Sequence, residues 1–309
     1  MPRVLICEPL HVTAVEKLRA AGFEVVEQHG LQGEELACAL AKVDAAIVRG
    51  GTKVTKEVLA ALPSDSRLKL IVRAGVGLDN IDLEAAKERG VKVFNTPRGP
   101  TISVAELTLG LMLALARRIA YADHAMKEKR WIKWELRGTE LRGKRLGIVG
   151  LGRIGSEVAR LAKAFGMEII AFSKKYDPRV VEELEIKLVE LDELLKTSDF
   201  VSLHVPLTPE THHMIGEREL RMMKPTAFLI NTARGAVVDS KALLRALEEE
   251  WIAGAGLDVF EEEPPTDWRL VQHPKVVATP HIGAQTEEAR RRNAEMAAEI
   301  VIRELSSAS

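Results

Sequence analysis

The chain has 309 residues, a formal net charge of −1, 46% hydrophobic residues and two cysteines. That length allows about two domains with ample core. Near-neutral charge argues against a nucleic-acid binder, the apolar stretches are too short to span a bilayer, and Cys7 and Cys38 supply neither a disulfide framework nor a zinc site.

Met1-Pro2 leads directly into a strand pattern, so no leader is expected and a reducing cytoplasm suits the chain, with both cysteines buried. Val4–Cys7, Phe23–Val26, Ala45–Val48, Leu68–Val72 and Val91–Phe94 read as strands, with helical patterns such as Val12–Ala21 and Leu83–Arg89 between them. This alternation predicts a parallel sheet covered by helices on both faces. Turn residues cluster at Asn95-Thr96-Pro97-Arg98-Gly99-Pro100 and mark a domain edge. Ile102–Ala120 is apolar nearly all round, which predicts a helix buried between domains or against a partner subunit. Lys127–Leu141 carries Trp131 and Trp134 among charges and reads as a solvent-facing arm or dimer contact, so a homodimer is expected.

A second series starts at Lys144, with strands at Leu146–Val149, Glu168–Phe172, Phe200–Leu203, Ala227–Ile230, Gly254–Leu257 and Val276–Ala278. The terminal helix, Glu287–Leu305, is long enough to return to the first domain, and a short Ser306–Ser309 tail follows. The expected architecture is α/β with two doubly wound parallel sheets: a Rossmann-type cofactor domain, 98–285, inserted into a flavodoxin-like substrate domain, 1–97 and 286–309.

The first strand of this series runs into Gly150-Leu151-Gly152-Arg153-Ile154-Gly155, and a helical pattern with Val158, Leu161, Ala162 and Phe165 on one stripe follows. Strand, glycine turn and helix form the opening unit of a dinucleotide-binding sheet. The first glycine permits the tight turn, the second lets backbone approach a pyrophosphate, and the third lets helix and strand pack closely. The helix N-terminus offers its free amides to the phosphates.

Three later segments end strands near the expected crevice: Asn231-Thr232-Ala233-Arg234-Gly235, Asp258-Val259-Phe260-Glu261-Glu262-Glu263-Pro264 and Thr279-Pro280-His281-Ile282-Gly283. One Arg, one acid and one His converging there suit hydride transfer at a secondary alcohol. The His moves the hydroxyl proton, the carboxylate orients it and favours its charged form, and the Arg grips a carboxylate with a planar fork. Pattern alone also fits a loop histidine at His281, a solvated acidic run around Glu263, and an Arg234 bonded to local carbonyls. The His212-His213 pair fits an exposed turn better than a metal site, since no third ligand is nearby.

These segments resemble the D-isomer-specific 2-hydroxyacid dehydrogenase family over almost the whole chain. The resemblance implies that Arg234 holds the substrate's carboxylate and carbonyl oxygen, that His281 is the acid/base, and that Glu263 is its partner; formate dehydrogenases, with a glutamine at the Glu263 position, look different. It implies cofactor contacts from Gly150, Gly152, Arg153, Ile154 and Gly155, from His204-Val205-Pro206 and Thr211, and from Thr232, Ala233, Asp258 and Gly283, with Asp258 reaching the nicotinamide carboxamide. The N-terminal runs Val48–Thr55, Arg73–Asp82 and Asn95-Thr96-Pro97 resemble the branch of that family that acts on 3-phosphoglycerate. By this likeness Arg49, Gly50, Gly51, Arg73, Gly75, Val76 and Asn95 contact substrate in a cleft between the domains, with Arg49, Lys53 and Arg73 as cations for a phosphate. The chain stops after the returning helix, so feedback through an added C-terminal domain is not expected. NADP-using glyoxylate and hydroxypyruvate reductases of the same family are the alternative. A different class, a dinucleotide-sensing corepressor-like protein, is expected to carry a long docking tail, and the complete Arg–Glu–His set favours catalysis over it.

The cofactor stays open between NAD and NADP. An acid about 20 residues beyond the glycines normally takes the adenosine ribose and selects NAD. Here Ser173-Lys174-Lys175 stands near that place and suits a 2′-phosphate, whereas Tyr176-Asp177-Pro178 resembles a displaced acidic motif that suits NAD.

Overall fold

The computed structural model describes residues 1–306; the end of the Ser306–Ser309 tail lies outside the described residues. The chain divides into two compact units, Met1–Thr101 with Ala284–Ser309, and Ile102–Gly283.

The first unit holds five strands, β1 (Arg3–Ile6), β2 (Glu24–Glu27), β3 (Ala45–Val48), β4 (Leu70–Arg73) and β5 (Lys92–Asn95), in the order β2-β1-β3-β4-β5. Every pair is parallel. The strands alternate between two buried faces, as a sheet covered on both sides requires. Leu5, Ala46, Val48 and Ile71 enter one core, and Val4, Ala45, Ile47, Leu70 and Val72 enter the other. The second core is closed by the helices Val12–Ala20 and Glu287–Ser306, the latter through Ala294, Ala297, Ala298 and Val301. Its alanines keep the close side of the helix small. Cys7 is buried, but Cys38 is exposed, contrary to expectation. The helix Gly33–Leu40 buries Leu36, Ala37 and Leu40, and that stripe turns Cys38 outward.

The second unit holds β6 (Arg145–Val149), β7 (Glu168–Phe172), β8 (Lys187–Leu188), β9 (Phe200–Leu203), β10 (Phe228–Asn231), β11 (Gly254–Leu257) and β12 (Val276–Ala278), in the order β12-β11-β10-β9-β6-β7-β8. All pairs are parallel. From β6 the chain builds outward through β7 and β8, then returns to the other flank with β9. The switch point therefore lies between β6 and β9, where such sheets open a crevice.

The apolar segment expected as one helix over Ile102–Ala120 is two. One helix spans Thr101–Ala116, and a second, Ile119–Lys127, starts at Arg118, whose φ of 53° breaks the first. The first helix owes its apolar character to the sheet of its own unit, where Leu109, Leu111, Met112 and Leu115 share a core with Leu146, Ile148 and Ile230. Gly256 lets it approach: a Cβ there would lie 3.2 Å from Leu111 and Leu115 side-chain atoms. Trp131 and Trp134, 78% and 89% exposed, flank and form a short 3₁₀ turn, Lys133–Glu135. No helix of the described residues is long and apolar enough to cross a membrane.

Candidate active site

The glycine turn after β6 is dictated by space. Gly150 has φ +99°, and a Cβ there would sit 2.9 Å from the His204 carbonyl and from Val205. A Cβ on Gly155 would overlap the Gly150 carbonyl oxygen. Gly152 has open space where its Cβ would be, and it is the N-cap of the helix Arg153–Ala164. Two glycines are thus required by packing, and the middle one leaves bare backbone beside a helix N-terminus, which is the cradle a pyrophosphate needs. Ile154 packs into the core beneath.

The strand ends around this turn carry the other expected residues. After β7, Ser173 Oγ accepts from the Leu151 N–H at 3.0 Å and donates to the Lys175 carbonyl at 2.6 Å. Lys174 and Lys175 are exposed. Asp177 caps the helix Pro178–Glu183, accepting from the Arg179 N–H at 3.0 Å, and pairs with the Arg179 guanidinium at 2.9 Å. Those Arg179 hydrogen bonds hold its carboxyl below the ordinary range. After β9, the His204 N–H donates to the Val149 carbonyl, and the His204 Nε2 lies 2.8 Å from Ser202 Oγ. His204 keeps an open edge, but the protein around the ring favours its neutral form, and burial pushes its pKa down to about 3. Thr211 Oγ1 donates to the Pro206 carbonyl at 2.6 Å and so fixes the turn below it.

Beyond β10, the Asn231 side chain shapes the next loop, accepting from the Ala233 N–H and donating to the Arg234 carbonyl. Thr232 shares a 2.9 Å hydrogen bond with Thr108. The Arg234 guanidinium donates to the Ala233 carbonyl at 2.7 Å, and its charge reaches Glu263. Beyond β11, the buried Asp258 organises the neighbouring loop. Its carboxylate accepts from Thr279 Oγ1 at 2.6 Å and from the Ile282 and Gly283 N–H groups at 2.8 Å, and its carbonyl accepts from the His281 N–H. This grip holds His281 at φ +54°, a left-handed conformation rare outside glycine.

Glu263 Oε2 then lies 2.6 Å from His281 Nδ1, while Glu263 Oε1 accepts from the Phe260 N–H at 3.1 Å. Burial acts to raise the Glu263 pKa; the His281 hydrogen bond and charge, the Phe260 N–H and the Arg234 charge together hold it below the usual value. An ionised carboxylate on Nδ1 directs Nδ1–H at itself and leaves Nε2 for proton transfer. An apolar cavity of about 400 Å³, lined by Phe260, Pro264, Trp268 and Pro280, adjoins this pair.

The first unit gathers cations at the ends of its own strands. The Glu8 carboxylate accepts from the Arg49, Gly51 and Thr52 N–H groups, and Asn80 donates to the Arg49 and Thr52 carbonyls. The Arg73 guanidinium lies over Gly75, where any Cβ would overlap it, and 3.7 Å from the Cβ position of Gly50. Asn95 donates to the Val76 carbonyl at 2.5 Å. Arg49 has its pKa lowered by burial and by the charge of Arg290, against the pull of Glu8. Glu8, Asn80 and Arg290 were not among the expected residues. Asn80 lies within the run Arg73–Asp82 already singled out and Arg290 within the run Arg290-Arg291-Arg292, whereas Glu8 leaves no trace in the sequence.

Residues 109–283 match the family described as D-isomer specific 2-hydroxyacid dehydrogenase, NAD binding domain. The chain belongs to the D-isomer specific 2-hydroxyacid dehydrogenase family. It is 48% identical over 292 residues to a D-3-phosphoglycerate dehydrogenase of Methanocaldococcus jannaschii, covering 94% of this chain and 55% of that protein. It therefore spans about half the length of that relative. It is 49% identical over 295 residues to a hydroxypyruvate reductase of Thermotoga maritima, covering 94% of both. The crystal structure of TT0316 protein from Thermus thermophilus is similar at a TM-score of 0.88 and 41% identity, over 98% of this chain and 97% of that one. Within this family, the parallel sheet and glycine turn described above form the nicotinamide-dinucleotide domain.

Proposed function

We propose that the protein oxidises a D-2-hydroxy acid to its 2-oxo acid, and reduces it in reverse, with D-3-phosphoglycerate as the substrate. The observation that carries this reading is the 2.6 Å contact between Glu263 and His281 beside the charge of Arg234. Arg234 grips the substrate carboxylate and the C2 oxygen. His281 Nε2 takes the C2 hydroxyl proton during oxidation and returns it in reduction. Glu263 fixes the ring and stabilises its charged form. A nicotinamide cofactor, when bound, accepts or supplies the hydride. Gly150, Gly152, Arg153 and Gly155 would hold its pyrophosphate, and Thr232, Ala233, His204 and Val205 would line its path. Arg49, Arg73 and Arg290 are assigned to the substrate's phosphate, because like charges side by side favour a bound anion.

The cofactor is read as NADP. Asp177 is committed to its helix cap and to Arg179, whereas Ser173 is small and Lys174 and Lys175 are exposed cations. Ser173→Asp with Lys174→Ala is expected to shift the ratio of kcat/KM towards NAD by about tenfold or more, by repelling the 2′-phosphate. An unchanged ratio would place the adenosine end elsewhere. The exposed Trp131, Trp134, Ile119 and Met126 support a homodimer, and free Cys7 and Cys38 support a reducing cytoplasm.

Reduction of glyoxylate or hydroxypyruvate is the second reading, favoured by the hydroxypyruvate reductase that matches over 94% of both chains. Following nicotinamide absorbance with 3-phosphoglycerate, glyoxylate and hydroxypyruvate separates the two. Turnover of phosphoglycerate is expected. Turnover of only the small 2-oxo acids would overturn that substrate and support the second reading.

A further inference from the structure

Glu263 belongs to a loop that a second carboxylate, two residues earlier, ties to the rest of the unit. Glu261 turns away from the candidate site. Its Oε1 accepts from the Ser240 N–H at 2.8 Å, at the first residue of the helix Ser240–Glu248, and its Oε2 lies 2.9 Å from His213 Nε2. His213 sits in the turn after β9 and is itself bonded below: its N–H donates to the Ala236 carbonyl at 2.8 Å, and the Asp239 N–H donates to the Ile215 carbonyl. Beneath Glu261, the backbone of Phe260 and Glu261 lies so close to Gly235 that any Cβ there would overlap it. Three segments thus meet at one imidazole–carboxylate contact: the turn carrying Thr211, the stretch carrying Arg234 and the loop carrying Glu263.

Backbone geometry sets His213 apart from an ordinary surface histidine. Its φ is +50°, where glycine sits freely and side chains are disfavoured. The imidazole that occupies this place reaches Glu261, stacks on His212 at 4.0 Å, and is half-buried. The Ser240 contact alone would explain Glu261 as a helix cap. It does not explain a second carboxylate oxygen spent on a strained residue from a different loop.

We propose that His213 and Glu261 are positioning residues, a latch that holds the Phe260–Glu263 loop down on Arg234-Gly235 and so sets the Glu263–His281 contact. This rests on the reading of Glu263 and His281 as the proton-handling pair. Neither latch residue is among those assigned to substrate or cofactor. A small displacement of a supporting element carries through to rate, because reacting groups tolerate little misplacement.

The test uses the full chain and His213→Gly, which removes the imidazole and relieves the backbone. A role in backbone conformation alone predicts equal or higher Tm and unchanged turnover. The latch predicts unchanged or higher Tm, cofactor Kd within about twofold, and kcat lowered about tenfold with glyoxylate or 3-phosphoglycerate, whichever is turned over. Glu261→Gln, which keeps an acceptor for Ser240 and a partner for His213, recovers most of the rate lost in Glu261→Ala. The losses in Glu261→Ala and His213→Gly are not additive in the double variant. A readout free of substrate is the downfield proton resonance of the imidazole proton on Nδ1 of His281, identified by its loss in His281→Ala; it moves or broadens in His213→Gly. Wild-type kcat with an unmoved resonance in His213→Gly overturns the latch, as does full additivity. Should Glu261→Ala fail to fold, His213→Gly decides alone. If Glu263→Gln and His281→Ala lose turnover while His213→Gly does not, only the latch fails. If those two retain turnover, the proton-handling reading fails and takes the latch with it.

Discussion

A planar guanidinium, a carboxylate and an imidazole differ in what they tolerate. Arg234 lies within reach of Glu263's field and supplies a fork of donors that a lysine cannot match. Arg234→Lys keeps the charge and loses the paired geometry, so kcat/KM for the 2-oxo acid should fall about a hundredfold while cofactor affinity holds; steady-state kinetics with a cofactor titration checks both. His204 tests a different property. Its folded pKa of about 3 lies below the ordinary 6.5. The unfolded chain therefore takes up the proton first, and stability is lost as pH falls through about 6.5 towards the folded value. His273, lowered by burial and by Lys275, adds in the same direction. Tm measured by calorimetry should drop between about pH 7 and about pH 4.5, and His204→Gln should flatten that drop. At this scale the sequence offers residue types and little else. Glu263 and His281 were placed together by likeness to a family, whereas pattern left each with an ordinary alternative. Glu8 left no signal, and Asn80, though inside the Arg73–Asp82 run, was given no role, because each acts on a loop dozens of residues away and only the folded chain brings them together.

Elements were more legible than the contacts between their ends. The glycine turn is legible because its spacing is fixed: Gly155 is demanded by the Gly150 carbonyl just before it, while Gly150 is demanded by His204 and Val205, just past the adjoining strand β9. Gly155→Ala would drive a methyl into the Gly150 carbonyl, so it should cost about 2 kcal/mol or more and abolish cofactor binding; chemical denaturation with a fluorescence titration reads both. The strands β3, β7, β9 and β11 stand out because buried parallel strands are short continuous apolar runs. β8 was missed because two exposed edge residues, Lys187 and Leu188, make no pattern. The break at Arg118 was missed because neither Gly nor Pro marks it. It is held from outside, where the Thr139 N–H bonds to the Ala116 carbonyl and the Arg118 guanidinium to the Glu135 carbonyl. A stripe of apolar residues tells that a helix is buried, and not against what.

For the molecule as a whole, two parallel sheets divide the labour. One ends in cations around Arg49 and Arg73, and the other ends in the glycine turn and the Glu263–His281 pair. Alternation of strands and helices made this α/β class readable from sequence, since each sheet repeats one local rule. Arg49 and Arg73 were assigned to a phosphate by likeness to a family, whereas Arg290, whose charge acts on Arg49, was missed because it comes from the terminal helix, far along the chain. The most direct test of proton transfer at His281 is turnover by His281→Ala, followed through nicotinamide absorbance beside a cofactor titration of the same protein. Turnover should fall by about 10²–10⁴-fold with cofactor affinity near that of the unaltered protein. Wild-type turnover in that variant would contradict the role assigned to His281.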